Sequence, residues 1–263
     1  MDLLLKNKIA IVTGGSLGIG KAIAKSLALE GADIVICARS LDTLEKAANE
    51  IKYLTKRTIV PIQCDTTKTE SIQNLVNQTV ERFGRIDILF NNAGSGDGGN
   101  FPDETNEGWE RVLSVNLSSV FYMSKAVWPH LISAGGGKIV NNSSLAAQRG
   151  FSKNMYDISG RAPSASYYAS KAGVDAFTRY SAGMGGQHNI RVNAVRPGQI
   201  ITPLSTGGGE HHHFKKTFDL MQIIDGPGYS EDVANAVLFL VTDESRFITG
   251  EFINVDGGMP AKL

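Results

Sequence analysis

The sequence predicts an α/β fold in which one doubly wound, mostly parallel sheet carries helices on both faces. Two observations point to it. Short runs rich in β-branched residues alternate with longer runs of helical periodicity. Several of the short runs, such as IAIVTG at 9–14 and DIVICA at 33–38, are apolar nearly throughout, as strands covered on both faces are. Strands and helices that alternate in this way form right-handed crossovers and therefore a parallel sheet.

Seven strands and six long helices are predicted along a single domain that covers residues 1–263. The strands are placed at 9–14, 33–38, 58–64, 86–91, 138–143, 190–195 and 251–255. The helices are placed at 18–30, 41–52, 69–83, 105–133, 165–184 and 231–241. Ser230, followed by Glu231 and Asp232, gives the last helix a cap and an acidic first turn.

Two connections are long and lack periodicity, namely 145–164 and about 203–228. Long connections at the carboxyl edge of a parallel sheet are usually functional, so both are candidate walls of a substrate pocket. We interpret the second as a lid, with Phe214, Phe218 and Met221 as its apolar underside. The HHH run at 211–213 is interpreted as a solvated part of this lid, because no partner has metal-site spacing, and no metal is predicted.

Composition excludes several functional classes. Apolar residues make up 42% of the chain and charged residues 20%, and 26 basic residues balance 26 acidic ones. Without a net charge, neither nucleic acid nor an anionic membrane is an expected partner. No run approaches the ~20 apolar residues of a membrane span. Cys37 and Cys64 lie in apolar runs and are interpreted as reduced core thiols of a cytoplasmic protein.

The run TGGSLGIG at 13–20 follows the first strand and opens the first helix. Its glycines permit a tight turn and a close approach of the backbone to a ligand, while the free N–H groups of the helix start face a pyrophosphate. In this position the run predicts a dinucleotide-binding Rossmann fold.

The end of the second strand distinguishes between dinucleotides. The sequence there is VICARS, with Arg39 and Ser40 and no carboxylate to bind ribose hydroxyls. An arginine with a neighbouring hydroxyl suits a 2′-phosphate, so we predict NADP(H) as the cofactor.

The stretch ASYYASKAG at 165–173 places two tyrosines before one lysine. On a helix, residues three and four apart share a face, so both Tyr167 and Tyr168 could reach Lys171. A neighbouring ammonium would favour tyrosinate and lower the tyrosine pKa toward the working range of a proton donor and acceptor. Helix geometry alone does not decide which of the two tyrosines pairs with Lys171.

These motifs resemble the short-chain dehydrogenases/reductases over nearly the whole chain. The resemblance rests on TGGSLGIG at 13–20, the aspartate of QCDTT at 65, NNAG at 91–94, VNL at 115–117, SS at 143–144, YYASK at 167–171 and RPGQIIT at 196–202. The family spacing of four selects Tyr167. It also favours Ser144 over Ser143 as the hydroxyl that polarises the substrate oxygen, and assigns Asn116 to hold a water against the lysine.

The resemblance implies the site residues. The catalytic set is Asn116, Ser144, Tyr167 and Lys171. The cofactor-binding set is Gly14, Ser16, Leu17, Gly18, Ile19, Gly20, Arg39, Ser40, Asp65, Asn91, Ala93, Gly94, Tyr167, Lys171, Pro197, Gly198, Ile200 and Thr202. Asp65 is expected at the adenine edge, and Pro197 and Gly198 at the nicotinamide. Asn92 is expected to be a structural clamp, and Trp109 and Trp128 to lie in the core or in a subunit contact of the 105–133 helix.

One departure from the family concerns the separation of Ser144 and Tyr167. They are 23 positions apart. This is about ten more than the family suggests, and a longer loop of this kind costs little entropy. We expect the extra residues in 145–164 to reshape the pocket or to cover a subunit contact.

Three functions are compatible with these residues. The resemblance favours NADPH-dependent reduction of a small-molecule ketone to a secondary alcohol, by a homotetramer or dimer. The alternatives are a 3-oxoacyl-(acyl-carrier-protein) reductase and a non-catalytic NADP(H) sensor. Only Lys138 and His188 offer basic charge in the loops before strands five and six, which argues against an acidic carrier protein. Substrate specificity is expected to reside in 95–101, 145–164 and 203–228.

Overall fold

Strands and helices alternate along the chain of the computed structural model, which describes residues 5–96 and 99–259. The strands are β1 (Ile9–Thr13), β2 (Asp33–Ala38), β3 (Ile59–Gln63), β4 (Ile88–Asn91), β5 (Gly137–Asn142), β6 (Ile190–Pro197), β7 (Ile200–Ile201), β8 (Gly228–Tyr229) and β9 (Phe252–Val255). The helices are α1 (Gly18–Leu29), α2 (Leu41–Thr55), α3 (Thr69–Phe83), α4 (Asn106–Leu113), α5 (Ser119–Ser133), α6 (Lys153–Ser159), α7 (Ala165–Gly185), α8 (Pro203–Thr206), α9 (Lys215–Met221) and α10 (Ser230–Val241).

Seven of the strands form one parallel sheet in the order β3-β2-β1-β4-β5-β6-β9. The chain winds outward from β1 in one direction and then returns to place β4 on its other side. A crevice opens at the carboxyl ends of the strands where the winding reverses, and ligands of such folds bind there. The predicted fold class is therefore confirmed.

The sheet separates two apolar layers because neighbouring residues of a strand point to opposite faces. On β1, Val12 packs with α1, α2 and α10, whereas Ile11 packs with α3 and α5. Successive residues of a central strand are therefore buried on both faces, which explains the nearly continuous apolar runs in the sequence. None of the described helices combines the length and the hydropathy needed to cross a membrane.

The helix predicted over 105–133 is interrupted. It consists of α4 and α5, joined by a π-helical turn at Ser114–Ser118. A π turn leaves the regular i→i+4 ladder and is common at functional sites. Here it carries Asn116, which is 1% exposed.

The two long connections contain structure of their own. The 145–164 connection, which we call the insertion, contains a 3₁₀ turn at Leu145–Ala147 and helix α6. The lid contains α8 and α9. Strands β7 and β8 flank the lid and pair in parallel, with Ile200 opposite Gly228. This pairing closes the base of the lid.

Candidate active site

The glycine loop is shaped by positions where a side chain would not fit. Gly14 has a φ of +63°, and a Cβ there would lie 2.8 Å from Nδ2 of Asn92. A Cβ at Gly20 would lie 2.3 Å from the carbonyl oxygen of Gly14. The chain can therefore turn this tightly only with glycine at both positions.

The start of α1 is open to an anion. Its N-cap residue, Leu17, makes no side-chain cap, and the first turn of the helix holds no acidic residue. The first N–H groups are consequently left for a ligand, and the helix dipole favours a negative one. This donor set fits a pyrophosphate. Beside it, Ser16 is half-buried, Leu17 is exposed, and Ile19 packs partly on the core.

The base of the lid lies against the glycine loop. A Cβ at Gly18, where φ is +53°, would approach Cβ and Cγ2 of Thr202 to 3.3 Å. The hydroxyl of Thr202 accepts a hydrogen bond from the Ser205 N–H, and the Ser205 hydroxyl donates to the carbonyl of Ile200. The side chain of Ile200 itself is buried in the core, so its contribution to a cofactor is restricted to the backbone.

Arg39 and Ser40 are exposed at the carboxyl end of β2. Within residues 5–96 and 99–259, the guanidinium of Arg39 has no hydrogen-bond or ion-pair partner. Asp65 accepts hydrogen bonds from the N–H and the hydroxyl of Thr67 at 3.0 and 2.7 Å. These bonds, followed by the charge of Arg39, hold the pKa of Asp65 below its usual value. Arg39 and Asp65 thus lie close enough to interact, at the carboxyl ends of β2 and β3.

The NNAG segment after β4 supports the crevice largely from inside. Asn91 is buried and donates to Oδ1 of Asn141 at 2.9 Å and to Ser124 at 3.2 Å, so its side chain does not line the groove as the resemblance implied. Asn92 donates to the carbonyls of Thr13 and Gly14, both at 3.1 Å, and is the clamp that was predicted.

Ala93 and Gly94, the next two residues of the segment, lead toward Asn116 and Lys171. Ala93 donates its N–H to the hydroxyl of Thr13 at 3.0 Å. A Cβ at Gly94 would lie 3.4 Å from Oδ1 of Asn116 and 4.0 Å from Nζ of Lys171. Gly94 therefore lies beside both Asn116 and Lys171.

Asn116 is held by the segment that follows NNAG. Its Oδ1 accepts from the N–H of Ser95 at 2.7 Å, and its Nδ2 donates to the Ser95 carbonyl at 2.8 Å and to the Ser170 hydroxyl at 3.3 Å. Both amide protons are engaged, so a water held toward Lys171 would have to bond to a carbonyl oxygen of Asn116.

Ser144 and Tyr167 meet despite their separation in sequence. The Ser144 hydroxyl accepts from the N–H of Ala146 at 3.1 Å and lies within hydrogen-bonding reach of the Tyr167 phenol. Ser143 points elsewhere, since its hydroxyl donates to Asp175 at 2.6 Å. The insertion begins with the 3₁₀ turn after Ser144 and ends at Ser164. The Ser164 hydroxyl caps α7 by accepting a hydrogen bond from the Tyr167 N–H.

Lys171 lies one helical turn after Tyr167 and is 5% exposed. Its Nζ donates to the carbonyl of Asn142 at 2.7 Å and lies 5.7 Å from the centroid of the Tyr167 ring. Burial lowers the pKa of Lys171 to about 8, while the carboxylate of Asp175 acts in the opposite direction.

The expected lowering of the tyrosine pKa is not found. Burial raises the pKa of Tyr167 above its usual value, and the hydrogen bond with Ser144 offsets part of the rise. The pKa of Tyr168 rises to about 12, from burial and from the neighbouring Tyr167. The physical reason is that removal from water disfavours phenolate, and the Lys171 ammonium is directed to a carbonyl instead of to the phenol.

Glu104 is a residue that the sequence did not indicate. Its carboxylate accepts from the Ser166 N–H at 3.1 Å and also bonds the Ser166 hydroxyl, so it caps the first turn of α7 from 62 positions away. Capping motifs are visible in a sequence only when the cap is local. No local pattern could have identified this one.

The insertion and the lid pack against each other. The ring centroids of Phe151 and Phe214 are 5.8 Å apart with an interplanar angle of 66°, and Arg161 lies over Phe214 at 5.8 Å. Phe218 is buried and lies 5.0 Å from the ring of His212. The contacts of Phe151 and Arg161 with Phe214 therefore join the insertion to the lid.

A buried ion pair also ties the insertion to the edge of the sheet. Arg149 lies 2.7 Å from Asp256, which follows β9. Asp256 in turn closes over Gly198, where a Cβ would lie 2.6 Å from Cβ of Asp256. Gly198, directly after Pro197 at the end of β6, donates its N–H to the Val255 carbonyl at 2.9 Å, so the chain stays bonded to β9 as it leaves β6.

The three histidines of the lid differ in environment. His211 and His213 are exposed, whereas His212 is half-buried and accepts from the Phe214 N–H at 3.1 Å. Burial, followed by the neighbouring His213, lowers the pKa of His212 to about 4. Among the residues that the structure describes, no group of three or more His, Cys, Asp or Glu is arranged to hold a metal.

Comparison with known proteins agrees with this geometry. A family model described as enoyl-(acyl carrier protein) reductase matches residues 14–260. Cyclohexanol dehydrogenase from an Acinetobacter species is 36% identical over 263 residues, covering 100% of this chain and 98% of that protein. A 3-oxoacyl-(acyl-carrier-protein) reductase from Thermotoga maritima is 36% identical over 256 residues, covering 97% and 98%.

Two solved structures have the same fold. L-sorbose reductase from Gluconobacter frateurii, complexed with NADPH and L-sorbose, is 29% identical, with a TM-score of 0.88 and 98% of each chain covered. A 7α-hydroxysteroid dehydrogenase, complexed with NADH and 7-oxo glycochenodeoxycholic acid, is 32% identical, also with a TM-score of 0.88, covering 100% of this chain and 98% of that one.

The fold and the site therefore define an oxidoreductase that uses a nicotinamide cofactor and acts on alcohol or ketone groups of small molecules. The chain belongs to the short-chain dehydrogenase/reductase family.

Proposed function

We propose that this protein is an NADP(H)-dependent carbonyl reductase, which is equivalently a secondary alcohol dehydrogenase. The observation that carries the proposal is the position of Tyr167 one helical turn before the buried ammonium of Lys171, with the Ser144 hydroxyl placed to lower the pKa of the Tyr167 phenol. A proton donor, a second hydroxyl and a cation on that side of the crevice are what reduction of a carbonyl requires.

The residues divide the chemistry between them. When bound, the reduced nicotinamide supplies the hydride to the carbonyl carbon. Tyr167 gives its phenolic proton to the oxygen that becomes negative. The hydrogen bond that the Ser144 hydroxyl accepts from the Ala146 N–H orients it, and Ser144 donates its own proton to the same substrate oxygen. The raised pKa of Tyr167 suits reduction, because the phenol stays protonated at neutral pH and is a ready acid.

Arg39 supports the preference for NADP(H). It is exposed at the end of β2, without a partner in the described residues, and no carboxylate occupies the following position. A guanidinium placed in this way can bind a 2′-phosphate through charge-assisted hydrogen bonds. Asp65 is engaged by Thr67 and does not neutralise Arg39 through a direct ion pair.

A second candidate is reduction of a 3-oxoacyl group on acyl carrier protein. It is favoured by the similarity to the Thermotoga maritima enzyme. The sequence argument against an acidic carrier does not apply, because Lys138 and His188 lie at the amino ends of β5 and β6 and therefore at the edge of the sheet opposite the crevice, where Lys138 is engaged with Asp243 at 3.2 Å. A non-catalytic NADP(H) sensor is the third candidate, and the complete set of Asn116, Ser144, Tyr167 and Lys171 argues against it.

One experiment separates the three. NADPH oxidation is measured with a panel of cyclic and acyclic ketones, beside an acetoacetyl thioester on free pantetheine and on acyl carrier protein. We expect turnover of simple ketones and no gain from the carrier. A large gain from the carrier would establish the second candidate. Tight NADPH binding with no turnover of any carbonyl would establish the third.

We also propose that the protein is a homotetramer or a dimer, located in the cytoplasm. Large apolar side chains are exposed along α4, α5 and α7, among them Trp109, Phe121, Tyr180 and Met184. A patch of this kind on one side of a soluble fold is typical of a subunit contact. Light scattering gives the mass in solution, and a monomer at micromolar concentration would exclude the proposal.

A further inference from the structure

A buried polar cluster adjoins the catalytic helix, and the proposed chemistry does not use it. Its centre is Asp175 on α7, one turn after Lys171 and 4% exposed. Arg196 of β6 donates from Nε and Nη2 to Oδ2 of Asp175 at 2.9 and 2.6 Å. The hydroxyl of Ser143 donates to Oδ1 of Asp175 at 2.6 Å. The carboxylate therefore joins the end of β5, the end of β6 and α7.

This cluster constrains the turn that carries Ser144. Ser143 directly precedes Ser144 and is fixed to Asp175, and its hydroxyl also lies 3.3 Å from the Lys171 carbonyl. On the other side of Ser144, the side chain of Gln148 accepts from Nη1 of Arg196 at 3.2 Å. The residues before and after Ser144 are thus both tied to the Asp175–Arg196 pair.

Asp175 also acts on the charge of Lys171. Burial favours the neutral amine, and the carboxylate opposes this. Among the described groups that face Lys171, the titratable ones are Tyr167 and Asp175 on its own helix, with Arg196 reaching Asp175 from β6. The end of β5, the π turn and the segment after β4 present neutral groups, namely the Asn142 carbonyl, Asn116 and Gly94.

We propose that Asp175 is a positioning residue of the active site, which holds the turn bearing Ser144 in place and supplies the counter-charge to the Lys171 ammonium. The inference rests on the proposed function, since Lys171 matters only if the site is catalytic. An ordinary buried ion pair is weak evidence for a role, because such pairs are often replaceable. Here the location distinguishes it, because the carboxylate bonds the residue before Ser144 and belongs to the helical turn that follows Lys171.

Asp87 provides a matched control. It is also 4% exposed and is also bound by an arginine, since Arg85 donates to both of its oxygens. It accepts further from the Ile9 N–H, at the opposite edge of the sheet from the crevice. Asp87→Asn therefore reproduces the structural cost of losing a buried carboxylate without touching the active site.

The direct test is an NMR titration of the lysine side chains in the isotope-labelled protein, with the Lys171 signal assigned by its loss in Lys171→Arg. The unsubstituted protein is expected to titrate at Lys171 near the value of about 8 that burial produces. In Asp175→Asn the midpoint should move to lower pH, by about one unit. In Asp87→Asn it should not move. An unchanged midpoint in folded Asp175→Asn would overturn the proposal.

Activity provides a second readout. The rate of ketone reduction should begin to decline at a lower pH in Asp175→Asn, following the Lys171 midpoint. In the same variant kcat should fall by a larger factor than KM rises. A loss of stability without this shift in the pH of decline would contradict the proposal. If the unsubstituted protein reduces no carbonyl, the proposed function fails, and the NMR titration still decides the role of Asp175.

A paired variant covers the case in which Asp175→Asn does not fold. Asp175→Asn combined with Arg196→Gln removes both charges and leaves two amides able to bond, so that no buried charge is uncompensated. The Lys171 midpoint should still fall, because the Asp175 carboxylate that favours the Lys171 ammonium is absent from this variant as well. A midpoint equal to that of the unsubstituted protein would again overturn the proposal.

Discussion

The ammonium of Lys171 donates a hydrogen bond of 2.7 Å to the main-chain carbonyl of Asn142. This bond ties the catalytic helix to the last residue of β5, two positions before Ser144. Lys171 therefore has a structural role in bringing α7 to the sheet, in addition to its charge. The same hydrogen bond explains why Lys171 does not lower the pKa of Tyr167, since the ammonium is directed to a carbonyl and not to the phenol.

The two adjacent tyrosines can be separated by substitution. Tyr167→Phe removes the proton donor, so we expect kcat for ketone reduction to fall by about 10²–10⁴-fold. Tyr168→Phe should retain most of the activity, because Tyr168 has no contact with Ser144 in the described residues. Steady-state kinetics with NADPH and a turned-over ketone measure both variants. A larger loss in Tyr168→Phe would reverse the assignment.

Arg39 should set the preference between the two dinucleotides. Arg39→Ala removes a charge-assisted contact to the 2′-phosphate, which is worth about 1.5–3 kcal/mol, so kcat/KM for NADPH should fall about tenfold or more. The value for NADH should change little. Arg82→Ala, at an exposed arginine on α3, is the control. A ratio of NADPH to NADH efficiency that stays constant in Arg39→Ala would disprove the NADP(H) assignment.

The two directions of the reaction should depend on pH in opposite ways. Reduction needs the neutral phenol and the Lys171 ammonium, so its rate should hold at neutral pH and fall above the lysine pKa of about 8. Oxidation needs phenolate, and burial raises the pKa of Tyr167, so its rate should rise toward alkaline pH. Initial rates in both directions, from about pH 6 to about pH 10, test this. A common optimum for both directions would be inconsistent with it.

Glu104 should stabilise the start of the catalytic helix. Glu104→Ala removes the acceptor of the Ser166 N–H, and a lost cap costs about 0.5–2 kcal/mol of unfolding free energy. Glu107→Ala, in the exposed first turn of α4, is the control. Denaturant unfolding of both variants measures the difference. Equal stability of the two would show that the Glu104 contact contributes nothing.

His212 should make the lid sensitive to acid. Its folded pKa of about 4 lies below the ordinary value of 6.5, so the unfolded segment takes up a proton first as pH falls. The contribution of neutral His212 to the free energy of unfolding is therefore complete above pH 6.5 and is lost progressively as pH falls toward 4. Hydrogen exchange of the lid amides should accelerate over this range, and His212→Phe should weaken that dependence. His211→Phe, at an exposed position, should leave it intact.

Much of the fold could be predicted because its signals are local. The apolar runs at 9–14 and 33–38 are strands within a residue of the predicted bounds. The glycine loop lies between β1 and α1 as its sequence requires. The π turn at Ser114–Ser118 was missed, because the apolar periodicity of 105–133 continues through it. Helix α6 was missed because its seven residues show no extended period.

The site divides in the same way. Family spacing selected Tyr167 and Ser144, and the structure brings their hydroxyls together across the insertion. Asn91 was predicted to bind the cofactor, and its side-chain amide is buried between Asn141 and Ser124, which leaves its backbone for that role. Neither partner could be read from the sequence around it, since they lie 50 and 33 positions away.

Residue periodicity and short motifs thus specify the strands, the helices and the anion-binding turn, because each depends on neighbours within a few positions. The charge states of Tyr167 and Lys171, the cap from Glu104 and the Asp175–Arg196 cluster arise only in the folded chain. Their common cause is desolvation and pairing of polar groups that are distant in sequence, and only the packing of β5, β6 and α7 determines which groups are removed from water together.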